Sequence, residues 1–203
     1  MRPHQRGLSL IELMVAITVA ALLLALSMPS FQSGIQNRQI RTAADAILNG
    51  LTVARTEALR RNRPVKFHLT TATGNGWTVG CESVDTTTDA TTGEVLCPDI
   101  IQTRDQQEGS ANATVETAQQ LSDGSAASTP VFTDTLSFTP LGRTTTGTLP
   151  AGNVALFDIK NPGGGSCVAA GGEMRCLRIV VTATGQIRMC DPGVTATTDP
   201  RKC

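Results

Sequence analysis

Tyrosine is absent from the 203 residues, and the only aromatic side chains are five Phe and Trp77. That excludes a surface that stacks successive bases on aromatic rings. Histidine occurs twice, as His4 and His68, too few for a multi-His metal site and little for His-based acid–base chemistry. No two of the six Cys form a C-x-x-C pair, which disfavours zinc. Neither charge sign is in excess, with 17 Lys and Arg against 17 Asp and Glu, unlike a general polyanion binder. Nucleophile motifs and phosphate-binding glycine loops are missing, since Gly163-Gly164-Gly165 follows Pro162 and opens no predicted helix. No catalytic residue, cofactor or metal is therefore assigned, and an enzyme is not expected.

What the chain does have is concentrated in its first third. Residues 1–7 are short, polar and basic; Leu8 to Met28 are then apolar or small except for Glu12. As a helix this run spans roughly 31 Å, about the hydrocarbon thickness of a bilayer. The basic flank predicts an N-terminus on the cytoplasmic side. An ordinary secretory signal is a poor fit: the run is long, holds a carboxylate and leads into another helix, with Ala25-Leu26-Ser27 a weak cleavage site. A plain anchor leaves Glu12 unexplained, because a carboxylate in a membrane segment costs roughly 2.5–3.5 kcal/mol and normally has a partner or a task.

Beyond Pro29 the pattern becomes amphipathic. Ile35, Ile40, Ala43, Ala44, Ile47, Leu51, Ala54 and Ala58 recur at helical spacing. One helix is expected from about Leu8 to about Asn62, bent at Pro29 and stopped by Pro64. Segment 8–28 is its transmembrane half, and 29–63 is a stalk docked along one face.

Gly7-Leu8-Ser9-Leu10-Ile11-Glu12-Leu13, behind a short basic leader and ahead of a spanning run, resembles the processing signal of type IV prepilins and type II secretion pseudopilins. The resemblance implies that a prepilin peptidase removes leader 1–7, cutting between Gly7 and Leu8 and methylating Leu8. Glu12 then becomes the fifth mature residue. Buried among packed helices, its carboxylate seeks an opposite charge, and the free amine of Leu8 on a neighbouring subunit is the natural partner. Ala54-Arg55-Thr56-Glu57-Ala58 running into a strand at Pro64 resembles minor pilins of the FimT/FimU type and the H-type minor pseudopilin. Arg55, Glu57 and the Arg60-Arg61-x-Arg63 run are expected as solvated helix charges. The implied fold is α+β and pilin-like, a long N-terminal helix on an antiparallel β head. The implied partners are other major and minor pilins or pseudopilins, and the implied location is the inner membrane with the head (64–203) periplasmic, then the fibre. The role that follows is to support fibre assembly near the tip.

Strands are expected at 64–70, 76–82, 131–139, 153–160, 174–183 and 186–190. Segment 83–130 is Thr-, Ser- and Asp-rich with few large apolar residues, and residues 81–134 hold ten acids against one base, Arg104. It is expected as an extended surface loop. Asp85 and Asp89 match no calcium-loop spacing. Cys81, Cys97, Cys167, Cys176, Cys190 and Cys203 lie where disulfides form, outside the inner membrane. Fifteen pairings are open, and the neighbours 81–97, 167–176 and 190–203 are expected.

Near the C-terminus, Leu177–Thr182 alternates, Ala183-Thr184-Gly185 turns, and Gln186–Cys190 returns, a three-residue hairpin loop ending in Gly. In that register Arg178, Gln186 and Arg188 share one face, and Ile179, Val181, Ile187 and Met189 point to the core. FimT-type pilins carry a Gly-Arg-x-Arg motif tied to DNA uptake at this place; here it reads Gly185-Gln186-Ile187-Arg188. The resemblance makes DNA a candidate partner through Arg178, Gln186, Arg188, Arg201 and Lys202, with one phosphate-pairing cation lost at Gln186.

Overall fold

The computed structural model describes residues 9–127, 132–145 and 147–203, except for the side chains of 25–30. A single helix, α1 (Leu10–Arg61), runs through Pro29 without interruption. Ser9 caps it in extended conformation and accepts a hydrogen bond from the Glu12 N–H. At the other end Asn62 takes the left-handed conformation, φ 52°, and its N–H turns back to the carbonyls of Ala58 and Leu59. Gly7, Leu8, the expected strand start at 131 and the side-chain environment of Pro29 lie outside the described residues.

Ile40, Ala43, Ala44, Ile47, Leu51, Ala54 and Ala58 are fully buried. Ile35, expected on the same face, is 45% exposed. Docking begins one residue later, where Gln36 Nε2 donates to the Gly163 carbonyl at 2.9 Å. The buried stripe is alanine-rich, so the sheets approach the helix closely.

The head holds two four-stranded antiparallel sheets. The first has the order β5 (Gln102–Arg104), β2 (Trp77–Cys81), β1 (Val65–Leu69), β7 (Thr135–Phe138). The second runs β10 (Ile187–Cys190), β9 (Leu177–Thr182), β8 (Asn153–Lys160), β6 (Thr114–Leu121). Both sheets contact α1, and the architecture is α+β. Aromatic rings join them. Trp77 and Phe67 lie 5.9 Å apart, Phe67 meets Phe157 edge-on at 5.9 Å, and Phe157 meets Phe132 at 5.2 Å. Every head aromatic is buried.

Segment 83–130 departs from the expected loop. It carries β5, β6 and a separate hairpin of β3 (Asp85–Thr88) and β4 (Val95–Cys97). β6 pairs with β8 along all eight residues, from Thr114↔Lys160 to Leu121↔Asn153. Its core positions include Val115 and a buried Gln119 rather than a run of large apolar residues. Gln119 is satisfied by Asn153 and by the Phe132 N–H. Backbone pairing on an edge strand needs little apolar patterning, so the composition concealed it.

The disulfides are Cys81–Cys97, Cys167–Cys176 and Cys190–Cys203. The first closes the base of the β3–β4 hairpin. The last ties the tail to β10, beside the Asp191↔Lys202 bridge.

Candidate assembly helix and hairpin face

The helix divides sharply. From Ile40 onward most of its apolar residues are inside the head, with Leu59 half exposed; before Gln36 the described apolar side chains are exposed. Leu10, Ile11, Leu13, Met14, Val15, Ile17, Val19, Leu22, Leu23 and Leu24 are each at least half exposed, and Phe31 is 73% exposed. Among the described residues no helix is long and apolar enough to cross a membrane. The expected span 8–28 lies partly outside them, at Leu8 and at the side chains of 25–28. Glu12 stands in the first helical turn and is the sole ionisable side chain from residue 10 to 37. Its position suits the positive end of the helix dipole.

The charges at the other end of α1 are not simply solvated. Arg55 Nε donates to the Gly142 carbonyl at 3.1 Å, across 87 residues of sequence. Glu57 and Arg61 are nearly buried as a pair, 2.7 Å apart, with side chains 16% and 12% exposed. Burial pushes the Glu57 carboxyl up, but hydrogen bonds from Arg60 and Arg61 and their positive charge outweigh it, holding it below the usual carboxylate range. The long-range partner of Arg55 is an irregular backbone carbonyl, which a single sequence does not reveal.

The C-terminal hairpin has the expected register. Arg188 faces Val180 and Cys190 faces Arg178, and Gly185 turns at φ 83°. Gly185 permits a close approach as well: a Cβ there would stand 1.8 Å from the Gly142 carbonyl oxygen. Arg178 and Arg188 do share the outer face, but they are not equivalent. Arg178 is directly opposite Asp158 on β8 and holds it with two hydrogen bonds, 2.6 and 2.9 Å. Lys160 is similarly joined to Glu116 across β8 and β6. Arg188 is exposed and has no carboxylate partner among the described residues. Gln186 is exposed beside it and uses its backbone N–H on Thr182 Oγ1.

Arg201 does not join this face. It is clamped by Asp199 at 2.7 Å and lines a cleft of ≈ 420 Å3 on the helix side, with Arg41, Leu48, Leu177 and Met189. Asp199 is correspondingly lowered from 3.8 to about 2, first by the Arg201 side chain and then by its backbone N–H. Lys202 is fixed through its backbone, donating to the Asp199 carbonyl. Of the five residues singled out for DNA, then, two, Arg178 and Arg201, are neutralised by carboxylates, and Arg201 also lies in the cleft on the helix side. His68 places Nδ1 2.8 Å from Thr135 Oγ1 and 3.9 Å from Asp134, a contact between the paired strands β1 and β7.

The family model for the type II transport protein GspH matches residues 43–185. The model of the prokaryotic N-terminal methylation motif matches residues 2–28. No curated protein matches the chain. Among solved structures it is similar to the type IV minor pilin FimU of Pseudomonas aeruginosa, at 16% identity over 77% of this chain and 97% of that one, TM-score 0.47. It is also similar to the minor pseudopilin EpsH from the type 2 secretion system of Vibrio cholerae, at 13% identity over 77% and 99%, TM-score 0.45.

Proposed function

We propose, from the premise that the chain belongs to the GspH family of type II transport proteins, that it is a minor pilin incorporated into a type IV fibre and supporting its assembly. In this reading a prepilin peptidase cuts after Gly7 and methylates Leu8. Helix 8–28 holds the chain in the inner membrane with the head in the periplasm, and the same helix later packs among those of neighbouring pilins. The subunit is structural, not an enzyme.

One observation carries the reading: the two halves of α1 have opposite surroundings. Nine large apolar residues between Leu10 and Leu23 are each at least half exposed. Burying what they still expose, in lipid or in a helix bundle, is worth roughly 8–17 kcal/mol. Burial of Glu12 in either setting costs roughly 2.5–3.5 kcal/mol on insertion scales. Pairing with the amine of an adjacent Leu8 offsets that cost and fixes the axial register between helices. The test is incorporation of Glu12→Ala into sheared fibres, with membrane level as the control. The expected outcome is a normal membrane level and strong loss from fibres; wild-type abundance in fibres would overturn the reading.

DNA binding is a second reading, supported by the exposed Arg188, which has no carboxylate partner among the described residues, beside Gly185. The Asp158 and Asp199 clamps weaken it, because a guanidinium already neutralised releases few counterions from a phosphate. A low-salt gel shift with wild type and Arg188→Ala decides it: binding lost in the variant supports this reading, and no binding by wild type removes it.

A further inference from the structure

The β3–β4 hairpin is built unlike the rest of the head. Among the described residues it pairs with no other strand and forms a two-stranded sheet of its own. No residue from 82 to 96 is buried, and Val84 and Leu96 are exposed. An isolated two-stranded hairpin is marginal in water, because it gains too little apolar burial to offset its ordering entropy. Something other than a core must hold this one in place.

Two devices do so. The Cys81–Cys97 disulfide closes its base. The second device is a set of guanidiniums at the end of α1. Arg61 bonds Glu57 through Nε and donates through Nη1 to the carbonyls of Val95 and Leu96, at 2.8 and 2.9 Å. Arg60 reaches Glu94 at 3.2 Å, and Arg63 reaches Asp85 at 3.0 Å. Three arginines from one helix end thus grip both strands and the tip side of the hairpin, and Glu57 orients the most buried of them.

We propose that residues 82–96 form a hinged arm, pivoting at the Cys81–Cys97 disulfide and latched to the end of α1 by Arg60, Arg61 and Arg63. The latch is ionic, so the arm opens as a unit without disturbing either sheet. Opening uncovers the arginine cluster at the end of the head opposite the free helix and releases a Thr-rich hairpin, freeing the Val95 and Leu96 carbonyls that Arg61 holds. Unpaired edges are templates for strand addition, so the open arm can engage a neighbouring subunit while the core stays folded. The inference does not depend on the assembly reading, since it rests on the head alone.

Hydrogen exchange of the full chain in detergent, with disulfides intact, tests it. Raising salt from low to molar screens the exposed pairs and accelerates exchange in 85–97 while leaving 114–121 and 153–160 unchanged. Arg61→Ala removes a charged donor to two carbonyls and accelerates exchange in the arm by roughly tenfold or more at low salt. Glu94→Gln, on an exposed pair, gives a smaller acceleration confined to the same residues. Arm exchange as slow as that of 65–69 and indifferent to salt overturns the proposal. Acceleration that spreads to 65–69 and 153–160 overturns it too, because the arm would then be part of the core. If Arg61→Ala does not fold, the salt series on the wild-type chain decides alone.

Discussion

Gly50 is the point at which the helix and both aromatic layers compete for one volume. A Cβ added there would stand 2.8 Å from Phe67 Cε2, 2.8 Å from Trp77 Cε2 and 2.9 Å from Trp77 Cδ2. Helix propensity favours Ala over Gly by roughly 0.8–1.0 kcal/mol. Steric crowding opposes it at roughly 2–3 kcal/mol, the upper part of the range for an extra methyl in a packed core, because three ring atoms would lie inside 3.0 Å. Crowding wins here because neither ring can retreat: Phe67 is backed edge-on by Phe157, which is backed by Phe132. Gly50→Ala is therefore expected to destabilise the head by about 1–2 kcal/mol net. In a domain of this size that lowers Tm by roughly 2–8 °C, read by thermal unfolding of the full chain in detergent. Gly34→Ala is the control, since a Cβ there meets nothing within 4 Å; it leaves the head's Tm unchanged. An unchanged or raised Tm for Gly50→Ala would refute the close helix–ring packing on which the docked half of α1 depends.

Replacing Cys81 and Cys97 together by Ser opens a loop of sequence separation 16 and costs about 3 kcal/mol in the chain-entropy account, measurable by urea unfolding. Carboxyl NMR titration of Asp199 is expected to give a midpoint of about 2, and Arg201→Ala returns it towards 3.8. A carboxyl held low in the folded state stabilises above its unfolded value and loses that contribution as pH falls through the folded value. The Asp199–Arg201 contact is therefore lost between about pH 4 and pH 2. Glu57 behaves with the same sign, because Arg60 and Arg61 hold it low. Acid unfolding of Arg61→Met should accordingly be less steep below the carboxylate range than that of wild type, and an unchanged acid limb would contradict the pairing.

Much of the fold was legible because its strongest signals are local. The apolar run from Leu8, the stop before Pro64 and the 3.6-residue spacing define α1. Six expected strand positions overlap β1, β2, β7, β8, β9 and β10, where apolar residues alternate. The hairpin register followed from Gly185 alone. Four strands in 83–130 escaped notice because Asp85–Thr88 and Gln102–Arg104 bury no large apolar residue. The candidate site was less legible. Exposure of the Leu10–Leu24 face was implicit in an apolar run with no polar side, but the Asp158 clamp on Arg178 depends on the pairing of β8 with β9. The grip of Arg61 depends on carbonyls 34 and 35 residues away, at a hairpin whose composition looked like loop.

The most direct measurement is the intact mass and N-terminal sequence of the subunit recovered from cells. The account predicts a chain that begins at N-methylated Leu8 and carries an unmodified Glu12. A chain that begins at Met1, or one cut after residue 27, would contradict it, because no free amine would then stand beside the Glu12 carboxylate of a neighbour.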